Sequence, residues 1–272
     1  MSQSSSNNVC HFFLPPHAFD TDRQTVNSAD AAVAHQLKNV LRLKPGSMVK
    51  LLDGQGNMWL ATIETIGRSD ASFSLKEQLA RATTKCGVEI VSVLPLIKAQ
   101  RFEWALEKLT ELGVERICPV ATARCVVKLK DDSEGKEKRW TQIVKEASEQ
   151  SERLQLPELE KARGLAEALA NLRGQRHCKL WLSERSDAPD MVQHLLALAR
   201  DNSLGNDSGE RSSEPMQIIL VSGPEGGFDD DEKKLIAAHH FQPVTLGNTI
   251  LRSETAAILA AGIAKTIGRT LD

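Results

Sequence analysis

Two short segments in the last quarter of the chain carry side chains that packing does not require. They are Gly223-Pro224-Glu225-Gly226-Gly227 and Leu246-Gly247-Asn248-Thr249-Ile250-Leu251-Arg252-Ser253-Glu254-Thr255. Glycines at such density let backbone amides approach a ligand closely. Glu225, a carboxylate between proline and a glycine pair, can accept a hydrogen bond from a base or an amine. Arg252 precedes a helix-like stretch, where a cation opposes the helix dipole and instead suits an anion or a carbonyl. Other readings stay open. The first segment can be a tight turn before a helix capped by Asp229 or Asp230, and Ser253, Glu254 and Thr255 can cap the last helix. The glycine spacing is not the dinucleotide fingerprint, and no Gly-Lys-Ser/Thr ending marks a phosphate loop, so nicotinamide and nucleoside triphosphate chemistry are disfavoured. No Gly-x-Ser-x-Gly nucleophile motif is present.

Both segments need elements to hold them. Apolar runs at 217–221 and 243–246 predict buried strands, each leading into a helix. Strand-to-helix loops of a parallel sheet lie at the carboxyl ends of the strands, where ligands bind. Strands at 88–94, 117–120 and 180–183 alternate with helices. One helix spans 99–112 with Phe102, Ala105, Leu106, Leu109 and Leu112 inward; another follows the charged stretch 128–139 with Trp140, Ile143, Val144 and Ala147 inward; a third spans 189–200. The polar end of the second, residues 149–153, is expected to face a partner. Residues 201–215 read as a surface loop. The terminal helix, 255–267, is rich in alanine and suits burial against the sheet or a subunit partner.

The first 82 residues read differently. A strand leads to a helix capped by Ser28 or Asp30, with Ala32, Val33, Leu37, Val40 and Leu41 as its apolar stripe and Lys38, Asn39 and Arg42 outward. Strands at 48–52, 58–66 and 71–75 then form a meander or small barrel around the turn Asp53-Gly54-Gln55-Gly56. The expectation is a mostly β domain, 1–82, and an α/β domain, 83–272.

With 41% hydrophobic and 26% charged residues and no long apolar run, the composition is that of a soluble globular protein without a membrane span or secretory signal. Five scattered cysteines without a Cys-x-x-Cys pair argue against zinc and against a disulfide framework, and point to the cytoplasm. The histidines show no metal-ligand spacing, so no metal is expected. A formal net charge of −2 restricts any nucleic-acid contact to a local basic patch such as Arg124, Lys128, Lys130, Lys136, Lys138 and Arg139, which can equally be a solvated face.

The chain resembles the ribosomal RNA small subunit methyltransferase E family, the 16S rRNA uracil-N3 methyltransferases of the SPOUT superfamily. The likeness rests on residues 35–42, 108–114, 124–127, 146–153, 223–228 and 246–255, and spans nearly the whole sequence. It implies an N-terminal PUA-like β-barrel that binds RNA and a C-terminal SPOUT α/β domain with a trefoil knot that binds S-adenosyl-L-methionine, working as a homodimer on 16S rRNA of the small ribosomal subunit. Carried onto this sequence, the cofactor loops fall on Leu182, Ser183 and Glu184; on Leu220, Val221, Gly223, Pro224, Glu225 and Gly226; and on Leu246, Gly247, Ile250, Leu251 and Arg252. Arg252 and Glu225 are the candidate catalytic residues, Arg252 to stabilise charge on the uracil carbonyls and Glu225 to orient either the base or the methionyl amine. RNA contacts are expected from His11, His35, Lys38, Arg42, Arg124, Lys128 and Arg153. His11 departs from the arginine many members carry before the first aromatic pair, here Phe12-Phe13, and makes a contact there weaker and pH-dependent. A SPOUT ribose 2′-O-methyltransferase and a noncatalytic RNA-binding assembly protein are the competing expectations.

Overall fold

A computed structural model describes residues 9–81, 87–125, 127, 133–172, 177–184, 188–204 and 215–269. The chain divides into two compact units: Met1–Thr84 with Ser148–Leu156, and Lys85–Ala147 with Pro157–Asp272.

In the first unit β1 (His11–Phe13), a 3-10 turn (Pro16–Ala18), β2 (Phe19–Asp20) and β3 (Thr25–Ser28) precede α1 (Ala31–His35), and β4 (Met48–Leu52), β5 (Met58–Ile66) and β6 (Ala71–Ala80) follow. The strands form a six-stranded sheet ordered β1-β4-β5-β6-β3-β2, antiparallel except for β1 against β4. Alternation along β5 and β6 buries Trp59, Ala61 and Ile63 opposite Ala71, Phe73 and Leu75. The two edge strands feed the same core, Phe12 from β1 and Phe19 from β2, whose ring lies 4.9 Å from Trp59. Asp53 closes the β4–β5 turn by accepting from the amides of Gln55 (2.8 Å) and Asn57 (3.1 Å).

Asp30 caps α1 by accepting from the Ala32 amide at 2.8 Å, as its position predicts. The expected apolar stripe does not continue to Val40 and Leu41. After His35 the helix becomes a π turn (Gln36–Val40), closed by the Leu41 amide on the Gln36 carbonyl at 2.9 Å. The extra residue per turn leaves Val33 and Leu37 buried but carries Val40 outward, where it is 62% exposed. No reading at 3.6 residues per turn anticipates this.

In the second unit β7 (Val88–Pro95), α2 (Ala99–Glu111), β8 (Arg116–Ala121), α3 (Ser133–Gln150), β9 (Glu158–Leu159), β10 (Arg163–Gly164), α4 (Leu165–Ala170), β11 (His177–Leu182), α5 (Met191–Leu204), β12 (Met216–Val221), α6 (Asp230–Ala238), β13 (Gln242–Val244) and α7 (Ser253–Gly268) follow in order. The sheet runs β10-β8-β7-β12-β11-β13, with β9 beside β8, and every pairing is parallel. Alternate residues of each strand feed opposite layers. Ile90, Ile117, Leu180 and Ile218 meet α2, α5 and α7; Val91, Val93, Val120 and Ile219 meet α4 and α6. This is the parallel α/β sheet the pattern predicts, covered by helices on both faces.

Several boundaries differ from expectation. Helix α3 starts at Ser133, inside the charged stretch, and its last turn belongs to the first unit, where Glu149 accepts the Phe13 amide at 2.9 Å. Helix α5 starts beyond Asp190, which accepts from Val192 and Gln193, and extends to Leu204, so the expected loop begins later; residues 205–214 lie outside the described ones. Strand β13 ends at Val244 because the Thr245 hydroxyl closes a turn on Gly247, donating to its carbonyl at 3.0 Å. Helix α7 begins at Ser253, two residues earlier than expected.

Candidate active site

The carboxyl ends of β11, β12 and β13 surround a cavity of about 410 Å³. Its walls are Trp181 and residues 182–184 after β11, glycines 223, 226 and 227 with Phe228 after β12, and Thr245, Leu246, Gly247, Thr249 and Leu251 after β13; Arg124, Lys233, Ser253 and Ala256 complete it. A small-molecule site typically occupies roughly 300–1,000 Å³. The two glycine-bearing loops are tied together by the Ser253 hydroxyl, which donates to the Gly223 carbonyl at 2.6 Å. This bond replaces the helix-capping role open to Ser253: Arg252 occupies the N-cap position of α7 and its side chain makes no cap bond.

Glycines at two walls meet different constraints. Gly247 has φ +118°, a conformation side chains rarely adopt. A Cβ on Gly226 meets the Arg124 side chain at 3.2 Å, and that arginine donates from Nη1 to the Gly226 carbonyl at 2.9 Å. Beyond the loop, Asp229 and Glu232 form a reciprocal capping box that fixes the start of α6. Glu232 also accepts the Ala123 amide at 2.7 Å, fastening the loop after β8 to the same helix.

Glu225 does not line the cavity. Its carboxylate is paired with Nη1 of Arg101, in the first turn of α2, and Nε of the same arginine lies 3.7 Å from Glu254, which is 4% exposed. Glu225, Arg101 and Glu254 thus join the loop after β12, α2 and α7.

With this geometry, the relationship to known proteins is decisive. Residues 84–265 match the RNA methyltransferase domain model and residues 30–76 the RNA methyltransferase PUA domain model. A ribosomal RNA small subunit methyltransferase E of Rickettsia conorii is 33% identical over 235 residues, 86% of each chain. The chain belongs to the ribosomal RNA small subunit methyltransferase E family. Among solved structures, the family member from Neisseria gonorrhoeae, bound to S-adenosyl methionine, shares 28% identity with a TM-score of 0.76, covering 95% of this chain and 98% of that one. A methyltransferase from Legionella pneumophila in complex with the same cofactor shares 27% identity with a TM-score of 0.78 and the same coverage.

Of the methyltransferase loop residues expected at the cofactor, Leu182, Ser183, Glu184, Gly223, Gly226, Leu246, Gly247 and Leu251 line the cavity. Leu220 and Val221 are core residues of β12, Pro224 is buried, and Ile250 and Arg252 are exposed outside the lining. Arg124, expected at RNA, also lines this cavity. In the first unit His35, Lys38 and Arg42 are exposed on α1 and the π turn beside Val40 and Leu41. Arg153 donates from Nε to the Gln155 carbonyl at 3.1 Å. Burial, then Lys50, pulls the His11 imidazole below its ordinary 6.5, against an opposing pull from Glu152. Lys128 lies outside the described residues.

Sequence reasoning missed Arg101, Trp181, Thr245 and Lys233. Arg101 sits on a helix whose apolar stripe explained every residue the pattern could see, and nothing local marks its partners, 124 and 153 positions away. Among the described residues no group of three or more His, Cys, Asp or Glu is placed to hold a metal ion, and no helix is long and apolar enough to cross a membrane.

Proposed function

We propose that this protein methylates N3 of a uridine in 16S rRNA of the small ribosomal subunit, using S-adenosyl-L-methionine held in the cavity at the ends of β11, β12 and β13. The observation that carries the reading is the convergence of three glycine- and leucine-bearing loops on one space of about 410 Å³. Its donor set fits the cofactor: Leu182, Leu246 and Leu251 offer apolar surface to a purine, and backbone groups at Gly223, Gly226 and Gly247 offer polar partners to its edges and to the amino-acid end. Bound there, S-adenosyl-L-methionine supplies an electrophilic methyl group.

The chain's own residues supply the rest. The loops orient the reacting partners, which can account for much of a rate enhancement because translational and rotational freedom is spent on binding. A uracil must leave its stack to be reached. As N3 loses its proton, charge spreads onto the flanking carbonyl oxygens, and Arg252, exposed at the entry of α7, donates to one of them. Glu225 accepts the N3–H hydrogen bond, orients the base and receives the N3 proton, which passes on to solvent. His35, Lys38 and Arg42, on an exposed turn with two outward apolar side chains, contact the RNA backbone together with His11, Arg124, Lys128 and Arg153. The domain boundary near residue 82, the trefoil knot, a homodimer in which the exposed Trp104 and Leu259 are covered, and a cytoplasmic site of action belong to the same proposal.

The test is methyl transfer from labelled S-adenosyl-L-methionine to small subunits lacking the mark, comparing wild type with Arg252→Ala and Glu225→Gln. Both substitutions sharply lower transfer while thermal unfolding stays unchanged. Near-normal turnover in either overturns that residue's role.

A further inference from the structure

We infer that Glu254 and Arg101 are positioning residues for the base-recognising carboxylate, Glu254 acting on Glu225 through Arg101; the inference rests on the uridine-methylating reading above. Among the described residues, Arg101 is the one cation within 4 Å of either carboxylate, so a single guanidinium serves two anions. The sharing is unequal. Nη1 is hydrogen-bonded to Glu225, whereas Nε stands 3.7 Å from Glu254, beyond a hydrogen bond though within electrostatic reach. Glu254 is buried to 4% exposure, and its Oε2 has no hydrogen-bond partner among the described residues.

A buried carboxylate in that condition is costly, and a whole buried ion pair can often be replaced by packed apolar side chains at no cost to the fold. Such groups concentrate where function retains them. Here the placement gives the function. Glu254 follows Ser253, and Glu225 precedes Gly226; both neighbours line the cavity, so the two acids flank it through the two loops that build it. The buried member holds Arg101 by charge, and Arg101 fixes one oxygen of Glu225. Glu225, whose side chain is 29% exposed, keeps its other oxygen for a ligand. Arg101, bonded to Glu225 through Nη1, retains further N–H groups to offer a ligand. The result is a donor next to an acceptor, the complement of a carbonyl next to an N–H, as on the imide edge of uracil. Arg101 and Glu225 together therefore select a base that presents an imide.

The experiment compares wild type, Arg101→Ala, Arg101→Lys, Glu254→Gln and the double variant Arg101→Ala/Glu254→Gln. Three quantities are read for each: the cofactor dissociation constant by calorimetry, the single-turnover methylation rate on small subunits at saturating cofactor, and the thermal midpoint. Arg101→Ala lowers the rate about 10- to 100-fold, the range seen when an outer partner of a functional group is lost. Its cofactor affinity stays within about twofold, since neither residue lines the cavity. Arg101→Lys recovers part of the rate. Glu254→Gln slows the reaction, and the double variant is no slower than Arg101→Ala, because Glu254 works only through the arginine. Rates of Arg101→Ala and Glu254→Gln that match wild type overturn the inference. So does a parallel loss of cofactor binding and thermal stability, which marks a structural clamp, and so do effects that multiply in the double variant. A wild-type chain that transfers no methyl to these subunits overturns the functional reading itself, and this inference with it.

Discussion

Replacing Gly247 with alanine isolates the contribution of loop geometry to cofactor binding. No atom lies within 4 Å of the added Cβ, so the substitution introduces no clash and removes no contact. What it changes is the backbone. Gly247 sits at φ +118°, held by the Thr245 hydroxyl, which accepts from its amide at 3.3 Å and donates to its carbonyl at 3.0 Å. A side chain in such a region costs about 1–3 kcal/mol. Gly247 is solvent-exposed, so the free loop can relax and the cost falls on the bound state. A difference of about 1–3 kcal/mol corresponds to an affinity about 5- to 150-fold weaker. Calorimetric titration with S-adenosyl-L-methionine reads this directly. Gly164→Ala is the control: it has φ −68° and nothing within 4 Å of an added Cβ, so it leaves cofactor affinity unchanged. A Gly247→Ala affinity within twofold of wild type refutes the claim that this loop's conformation is part of the site.

Four further outcomes are expected. Ser253→Ala removes the bond to the Gly223 carbonyl and costs about 0.5–1.5 kcal/mol, seen as a thermal midpoint lowered by a few degrees together with weaker cofactor binding. Asp229→Ala, which breaks the capping box of α6, costs about 0.5–2 kcal/mol in chemical denaturation. Leu37→Ala costs about 2–5 kcal/mol, whereas Val40→Ala stays within about 0.5 kcal/mol; equal losses in urea melts contradict the π turn. Burial, with Glu160 nearby, pushes the Cys118 thiol up to about 12, and burial pushes Cys178 up to about 11, so iodoacetamide at pH 8 labels neither until the chain unfolds. Because these folded values lie above the ordinary 9.0, the associated stability is complete below pH 9 and is lost as pH rises from there toward 12; stability that increases over that window contradicts the burial.

The sequence made the second unit legible because a strand buried on both faces is a continuous apolar run and its helices keep a 3.6-residue stripe. Ile218, Ile219, Leu220 and Val221 show the first, and Phe102, Leu106 and Leu109 the second. The cavity's glycine loops were legible too, since Gly247 answers a local backbone demand at φ +118° and the glycines stand out in sequence. Three features were not. The π turn at 36–40 breaks periodicity without leaving a composition signal. The last turn of α3 and the segment after it pack in the first unit, a contact between Phe13 and Glu149 across 136 positions that no window contains. The Arg101 cluster is a product of tertiary convergence: its arginine lies on a helix already accounted for, and its buried glutamate, Glu254, looks in sequence like an acidic residue in a helix's first turn.

The measurement that bears most directly on the account is mass spectrometry of 16S rRNA nucleosides after the purified protein, S-adenosyl-L-methionine and small subunits lacking the mark are incubated together. New N3-methyluridine is expected, formed by wild type and lost with Arg252→Ala. A methyl group found on ribose, or no new methylated nucleoside despite measurable cofactor binding, contradicts it.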